Sequence, residues 1–227
     1  MAMIKKKGGS GGDENNIFWV TMSDLMLGLA CVFMTLFVLA ITGFSQNSIQ
    51  QKQDQMKAVE ELAEQLKEAD INAEVDKMTG DIKISDLELF EVNSWTLSQK
   101  GKDYLDKLVP IYVNTIFKNP ELNENIANII VQGHTDSQSF AGITAKDEQF
   151  TRNMELSLKR ANSVAEYMFK TQFDRTHSED LRNKLIVEGR SFSDPILVDD
   201  EEDFDKSRRV ELKLKVKTWD IKDVLGF

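Results

Sequence analysis

Asp24 stands at the head of an apolar, otherwise uncharged stretch, Leu25 to Phe44, and is the residue whose type and place most directly suggest chemistry. A carboxylate beside lipid costs roughly 2.5–3.5 kcal/mol at a helix centre, and such acids usually serve ion transfer. The stretch would make a helix about 30 Å long, enough for one bilayer crossing. Ile17 to Ser23 is also uncharged and would bury Asp24 about 10 Å deep if helical. Span geometry leaves two readings open. Asp24 is an ion carrier, or Ser23 and Asp24 cap the helix at the water boundary, where the acid meets the positive end of the helix dipole.

A helical projection gathers Asp24, Gly28, Cys31, Thr35 and Thr42 on one small, weakly polar side. That side is a packing seam between helices, the lining of an ion path ending on Asp24, or both. Lys5, Lys6 and Lys7 precede the span, whereas Ser45 to Gln51 holds no Lys or Arg. The positive-inside bias therefore places the N-terminus in the cytoplasm and the remainder outside, with Phe18 and Trp19 at the cytoplasmic interface. The apolar run is long for a secretory signal and Thr42-Gly43-Phe44-Ser45 is a poor cleavage site, so a retained anchor is expected.

Other chemistry finds little support. The chain has no phosphate-binding Gly-Lys-Ser/Thr loop, no nucleophile elbow and no Cys-His pairing, so neither catalysis nor a cofactor is expected. His134 and His177 lack metal-ligand spacing, so no metal site is expected. A net charge of -10 opposes direct nucleic-acid binding. The single cysteine, Cys31, lies in the apolar stretch, which leaves the rest cysteine-free, as an oxidising compartment tolerates.

The elements that follow divide the chain into a basic tail (1–16), the span (17–44), a linker (45–80), a folded domain (81–217) and a C-terminal tail (218–227). In the linker Val59, Leu62, Leu66, Ala69 and Ala73 recur at steps of three and four, which gives a short coiled coil or an amphipathic helix packed on the domain. Ile82-Lys83-Ile84 and Leu87 to Val92 read as strand. A helix is expected from about Ser98, with Leu105, Leu108, Val109, Tyr112 and Ile116 on its apolar face. Ile126 to Val131 reads as a buried strand ending at Gly133, and Leu185-Ile186-Val187 as a short one. Ser157 is expected to cap a second helix carrying Ala161, Val164, Ala165 and Met168. Val210, Leu212, Leu214 and Val216 alternate with polar residues in a final strand. The order predicts an α/β (α+β) sandwich, helices on one face of a mixed sheet.

Two sets of motifs carry resemblances. Phe18-Trp19-Val20-Thr21-Met22-Ser23-Asp24-Leu25-Met26 resembles the start of the membrane helix in MotB-type stator subunits, where the acid carries ions. Its Trp-to-Asp spacing resembles the ZorB-type subunits of Zorya phage-defence systems more than flagellar MotB. Leu89-Phe90-Glu91-Val92-Asn93-Ser94 with Leu97 and Lys100-Gly101, Gly133-His134-Thr135-Asp136, Asn153 with Leu156-Ser157 and Arg160-Ala161, and Ser207-Arg208-Arg209-Val210-Glu211 resemble OmpA-like peptidoglycan-binding domains, in order over residues 82–216. Ser207 replaces the usual Asn.

The resemblances imply an ion-driven, most simply proton-driven, inner-membrane stator subunit in which Asp24 carries the ion and the outer, periplasmic domain grips the wall. The partners they imply are a polytopic MotA/ZorA-like channel subunit, by analogy five copies around two of this chain, and a second copy paired through the outer domain. The alternatives are a flagellar-type subunit and a static envelope tether. A diamino acid of the wall's stem peptide carries an ammonium and a carboxylate on one carbon. Asp136 would take the ammonium, Arg160 in a first helical turn the carboxylate with help from helix-end N–H groups, Arg208 would be a second cation, and Asn153 would supply hydrogen bonds. Asp136 as a turn cap, His134 as a packed structural residue and Arg208 in a sheet-edge ion pair are the bland counterparts. Arg160 lies 24 positions beyond Asp136, longer than the family pattern, so Phe140 to Gln149 is expected as an inserted loop over the pocket. Asp199 to Asp203 is expected as a solvated acidic loop.

Overall fold

The computed structural model describes residues 11–71, 73–91, 94–118, 120–140 and 142–217. Lys5 to Lys7, Val92 with Asn93, and the 218–227 tail lie outside the described residues. The chain forms two compact units, Met1–Gln50 and Gln51–Phe227. Helix α1 is assigned over Gly11–Glu68 and contributes to both.

In the first unit, Ile17–Thr42 is long and apolar enough to cross a membrane, and its side chains are exposed along its length. Thr21, Thr35 and Thr42 turn their hydroxyls back on the helix, donating to the carbonyls of Ile17 (3.0 Å), Val32 (2.8 Å) and Val38 (2.9 Å). Hydroxyls satisfied within the helix cost little in lipid. Asp24 is the one charged side chain of this span, and it is exposed.

In the second unit a five-stranded sheet has the order β1-β2-β7-β3-β4, with β1 Glu74–Val75, β2 Ile82–Ser85, β3 Ile126–Gly133, β4 Leu185–Gly189 and β7 Arg209–Val216. All pairings are antiparallel except β3 with β4. Period-two patterning explains the inner face, where Ile82, Ile84, Ile129, Val131, Val210 and Leu212 are buried. Helix α3, Gln99–Lys118, covers them with Leu105, Leu108, Val109, Tyr112 and Ile116, each at most 1 % exposed. Ser98 caps it, its Oγ accepting from Gly101 N at 2.9 Å. The linker residues Leu62 and Leu66 of α1 join this same core, so the apolar face with the three–four spacing packs on the domain.

Three expectations are corrected. Leu87 to Leu89 does not form strand. Asp86–Leu89 is a helical turn, α2, with Asp86 and Leu89 buried three positions apart and Leu87 exposed. Ser157 does not start a helix: α5 runs Lys146–Met168 and places Ser157 in its interior, its Oγ donating to Met154 O at 3.0 Å. A hydroxyl bonded back to its own helix has the composition of a cap without its position. The expected inserted loop is accordingly helix in part: Phe140 and Gly142 to Ala145 lie outside helix and strand, whereas Lys146 to Gln149 already belongs to α5, with Asp147 and Glu148 favourably placed in its first turn.

The remaining elements are α4 (Pro120–Asn125), α6 (Ser178–Lys184), α7 (Phe204–Ser207) and a small hairpin of β5 (Leu197–Val198) and β6 (Glu201–Glu202). Asp199 and Asp200 turn that hairpin with φ of 53° and 66°, Glu201 and Glu202 form β6 and Asp203 caps α7, so the acidic run is turn, strand and cap rather than one loop.

The approach of α5 to the sheet depends on two facing glycines. Gly133 and Gly189 are register partners on β3 and β4. A Cβ on Gly133 would overlap the Ser157 carbonyl, and one on Gly189 would lie 2.8 Å from Leu158 N, both parts of the α5 backbone. Gly133→Ala is expected to lower the unfolding free energy of the full chain in detergent by about 1–3 kcal/mol, the usual cost of overpacking. Denaturant titration checks this, and unchanged stability would contradict the close contact.

A candidate charged pocket at the end of the sheet

β2 and β3 end, and β7 begins, at the same edge of the sheet, because β7 is antiparallel to both. The residues just beyond these ends are laced together by backbone bonds, Asp86 N to Arg208 O (3.0 Å) and His134 N to Arg209 O (2.9 Å). Asp86, Asp136 and Arg208 therefore gather where three strands stop, and α5 brings Asn153 and Arg160 over them. All five line one cavity of about 340 Å³, with Phe140 on its wall.

All four folded-domain site residues expected from sequence thus share one pocket, but their pairing differs from expectation. Asp136 is ion-paired with Arg208, which also holds Asp205, and accepts from Gln138 N at 3.3 Å. Arg160 Nη2 lies 3.1 Å from Asp86 Oδ2, its Nε donates to Ser94 O at 3.0 Å, and its guanidinium sits 5.4 Å from the Phe90 ring centroid. Arg160 is in the helix interior, not its first turn, so the surrounding backbone N–H groups are spent on intrahelical bonds and offer a ligand nothing. Asn153 donates from Nδ2 to Gln149 O at 3.1 Å.

Asp86 is the site residue that sequence reasoning missed. It falls between two stretches that read as strand, and its partner is 74 positions away in sequence. Burial pushes its carboxyl up, against the opposing pull of Arg160 and then Arg208. Burial likewise disfavours the Arg208 cation, but the hydrogen bond and charge of Asp136 together with the charges of Asp205 and Asp86 outweigh it, and the net shift is upward. Asp86 Oδ1 and Thr135 Oγ1 are buried with no hydrogen-bond partner among the described residues, and both residues line the cavity. Unpartnered buried polar atoms around a cavity call for a role, and a polar ligand supplies one.

Two loops frame the cavity. Gln149 clamps the 140s loop, accepting from Phe140 N at 2.9 Å and donating to Ile143 O at 2.7 Å. Glu202 of the acidic hairpin accepts from Ser137 N at 3.2 Å, so part of a run expected as solvated surface braces the rim. Ser207 Oγ, in the place of the usual Asn, accepts from Ile196 N at 3.0 Å and closes the loop before β7.

Behind the pocket, His134 is 1 % exposed and structural, as its bland reading held. Its Nε2 lies 3.1 Å from Gln132 Oε1 and 3.6 Å from Glu211 Oε2, and Arg209 Nε donates to Glu211 at 2.5 Å. Burial holds His134 below the usual imidazole value despite Glu211. Burial would raise Glu211, but hydrogen bonds from His134 and Lys213 and the charge of Arg209 hold it far below the usual carboxylate range.

The fold defines an OmpA-like α/β domain, in a chain that also carries a candidate membrane helix. The OmpA family model matches residues 89–209. The Zorya protein ZorB of Escherichia coli (Crooks strain) is 31 % identical over 214 residues, 89 % of each chain. A Zorya protein ZorB of Escherichia coli O139:H28 is 20 % identical over 211 residues, 87 % of this chain and 80 % of the other. A MotB-like protein from Desulfovibrio vulgaris shares the fold, with a TM-score of 0.53 at 18 % identity over 74 % of this chain and 98 % of that one. The chain belongs to the OmpA family through its folded domain and to the ZorB family over nearly its whole length.

The His134 shift fixes the sign of a pH effect. A base whose folded pKa is depressed leaves the unfolded state binding more protons, so its contribution is lost as pH falls below about 6.5. Glu211 acts separately, losing its contribution only below about 4.5. His134→Gln is therefore expected to flatten the stability decline between about pH 6.5 and 4.5 relative to wild type. Thermal melts across that window check it, and parallel profiles would contradict it.

Proposed function

We propose that this chain is the wall-anchored, membrane-embedded subunit of an ion-driven motor of the Zorya type, acting in defence against phage. The observation that carries the reading is Asp24, a lone carboxylate in an exposed apolar helix, in a chain whose folded domain ends in a pocket of paired charges. The N-terminus lies in the cytoplasm and the domain in the periplasm, in keeping with the lysines before the span.

One helix cannot enclose an ion path, so a polytopic MotA/ZorA-like partner surrounds two copies of this chain, with five copies as the analogy suggests. Asp24 takes up and releases a proton as the partner presents it alternately to the two sides. The available work is about 2.3 kcal/mol per elementary charge per 100 mV. The pocket holds the motor against that torque by binding the stem peptide of peptidoglycan. The ligand's carboxylate approaches Arg160 and Arg208, and its ammonium approaches Asp136 and Asp86, each partly replacing a partner within the pocket.

Two measurements test the two ends. Cells carrying the native operon with Asp24→Asn, at wild-type membrane levels, should lose phage protection entirely in a plating assay. Full protection would reduce Asp24 to a cap and the chain to a tether. Asp136→Asn, which keeps the side chain's shape, should cut retention on purified peptidoglycan by about tenfold, as expected when a charged group loses its partner. Equal retention would remove the pocket from wall binding.

A further inference from the structure

Ser94 and Trp95 are neighbours in the chain and meet neighbouring residues of α5, Ser94 at Arg160 and Trp95 at Lys159. The Ser94 carbonyl holds Arg160 Nε at 3.0 Å. The Trp95 ring, nearly half exposed, lines a second groove of about 460 Å³ with Leu158, Lys159, Asn162, Glu166 and Val187. On α5 the pocket residues Asn153, Leu156 and Arg160 and the groove residues Lys159, Asn162 and Glu166 occupy adjoining faces.

The groove's chemistry is that of a hydroxyl-rich, uncharged ligand. An exposed aromatic face attracts the weakly positive C–H bonds on the flat side of a pyranose, as it attracts other positive partners. Lys159 Nζ already uses that attraction, 4.3 Å from the Trp95 ring centroid, while tied to Glu155 at 2.7 Å. Asn162 Nδ2 donates to Glu166 Oε1 at 2.6 Å, which leaves donors and acceptors together at the rim for ring hydroxyls and acetamido groups. The cation is neutralised locally, so the groove does not suit an anionic surface.

We propose that the Trp95 groove is a second subsite of the wall-binding surface, taking an N-acetylated sugar of the glycan to which the stem peptide is attached. This rests on the reading of the charged pocket as a stem-peptide site. A three-residue stem spans at most about 10 Å, comparable to the width of one helix, which matches two sites on adjoining faces of α5.

The test uses the full chain in detergent and two probes, a disaccharide-tripeptide released from peptidoglycan and the tripeptide alone. Wild type binds the disaccharide-tripeptide more tightly. Trp95→Ala binds it roughly fivefold more weakly than wild type, the loss expected from one aromatic contact, and binds the tripeptide unchanged. Trp95→Phe regains most of the difference, which a fold defect would not allow. Wild type and Trp95→Ala binding the disaccharide-tripeptide alike overturns the sugar subsite alone. Wild type binding neither probe overturns the wall-binding reading and the subsite with it.

Discussion

Where β3 and β4 end, a pair of facing glycines lets the backbone of α5 lie directly on the sheet, and the geometry of the pocket follows from that contact. Side chains at Gly133 and Gly189 would hold the helix off by the width of a methyl group. Arg160 would then rise away from Asp86 and Ser94, and Asn153 away from the strand ends. Ser157 fastens the contact from the helix side, accepting from Ser191 N at 3.1 Å. Ser191, at φ 53°, in turn accepts from Thr135 N at 2.9 Å through its carbonyl, one residue before Asp136. Close packing in one place thus sets the positions of charges contributed by four separate elements.

Those charges form two pairs, Asp86 with Arg160 and Asp136 with Arg208, rather than a field of one sign. Pairing limits the desolvation cost of holding two acids and two cations near one another. It also makes recognition an exchange: a ligand gains only if it offers both charges at the right separation, because a single charge would strand the group it displaces. A zwitterionic carbon meets that condition. Phe140, held by the Gln149 clamp, supplies an apolar wall for the aliphatic stem such a group would carry.

Much of this was legible in the sequence because it rests on periodicity. The alternation from Val210 to Val216, the helical spacing from Leu105 to Ile116 and the span around Asp24 each depend on local patterning alone, and the structure contains all three. The short motifs also brought Asp136, Asn153, Arg160 and Arg208 to one place. What was illegible depends on partners distant in sequence. Ser157 looks like a cap because its hydroxyl type does not reveal that the preceding 11 residues from Lys146 are already helical. Asp86 went unnoticed between two apparent strands because its burial is set by Arg160 and the Arg208 backbone. Trp95 carried no signal, since one exposed aromatic in a loop has no periodic neighbours.

The measurement that bears most directly on the paired-charge pocket is calorimetric titration of the full chain with a stem tripeptide ending in a diamino acid, beside two analogues. One analogue lacks the terminal ammonium and the other lacks the carboxylate on the same carbon. The account predicts that the zwitterion binds and that each analogue binds at least about tenfold more weakly, since each leaves a pocket charge displaced and unpaired. Equal affinity for all three peptides would contradict it.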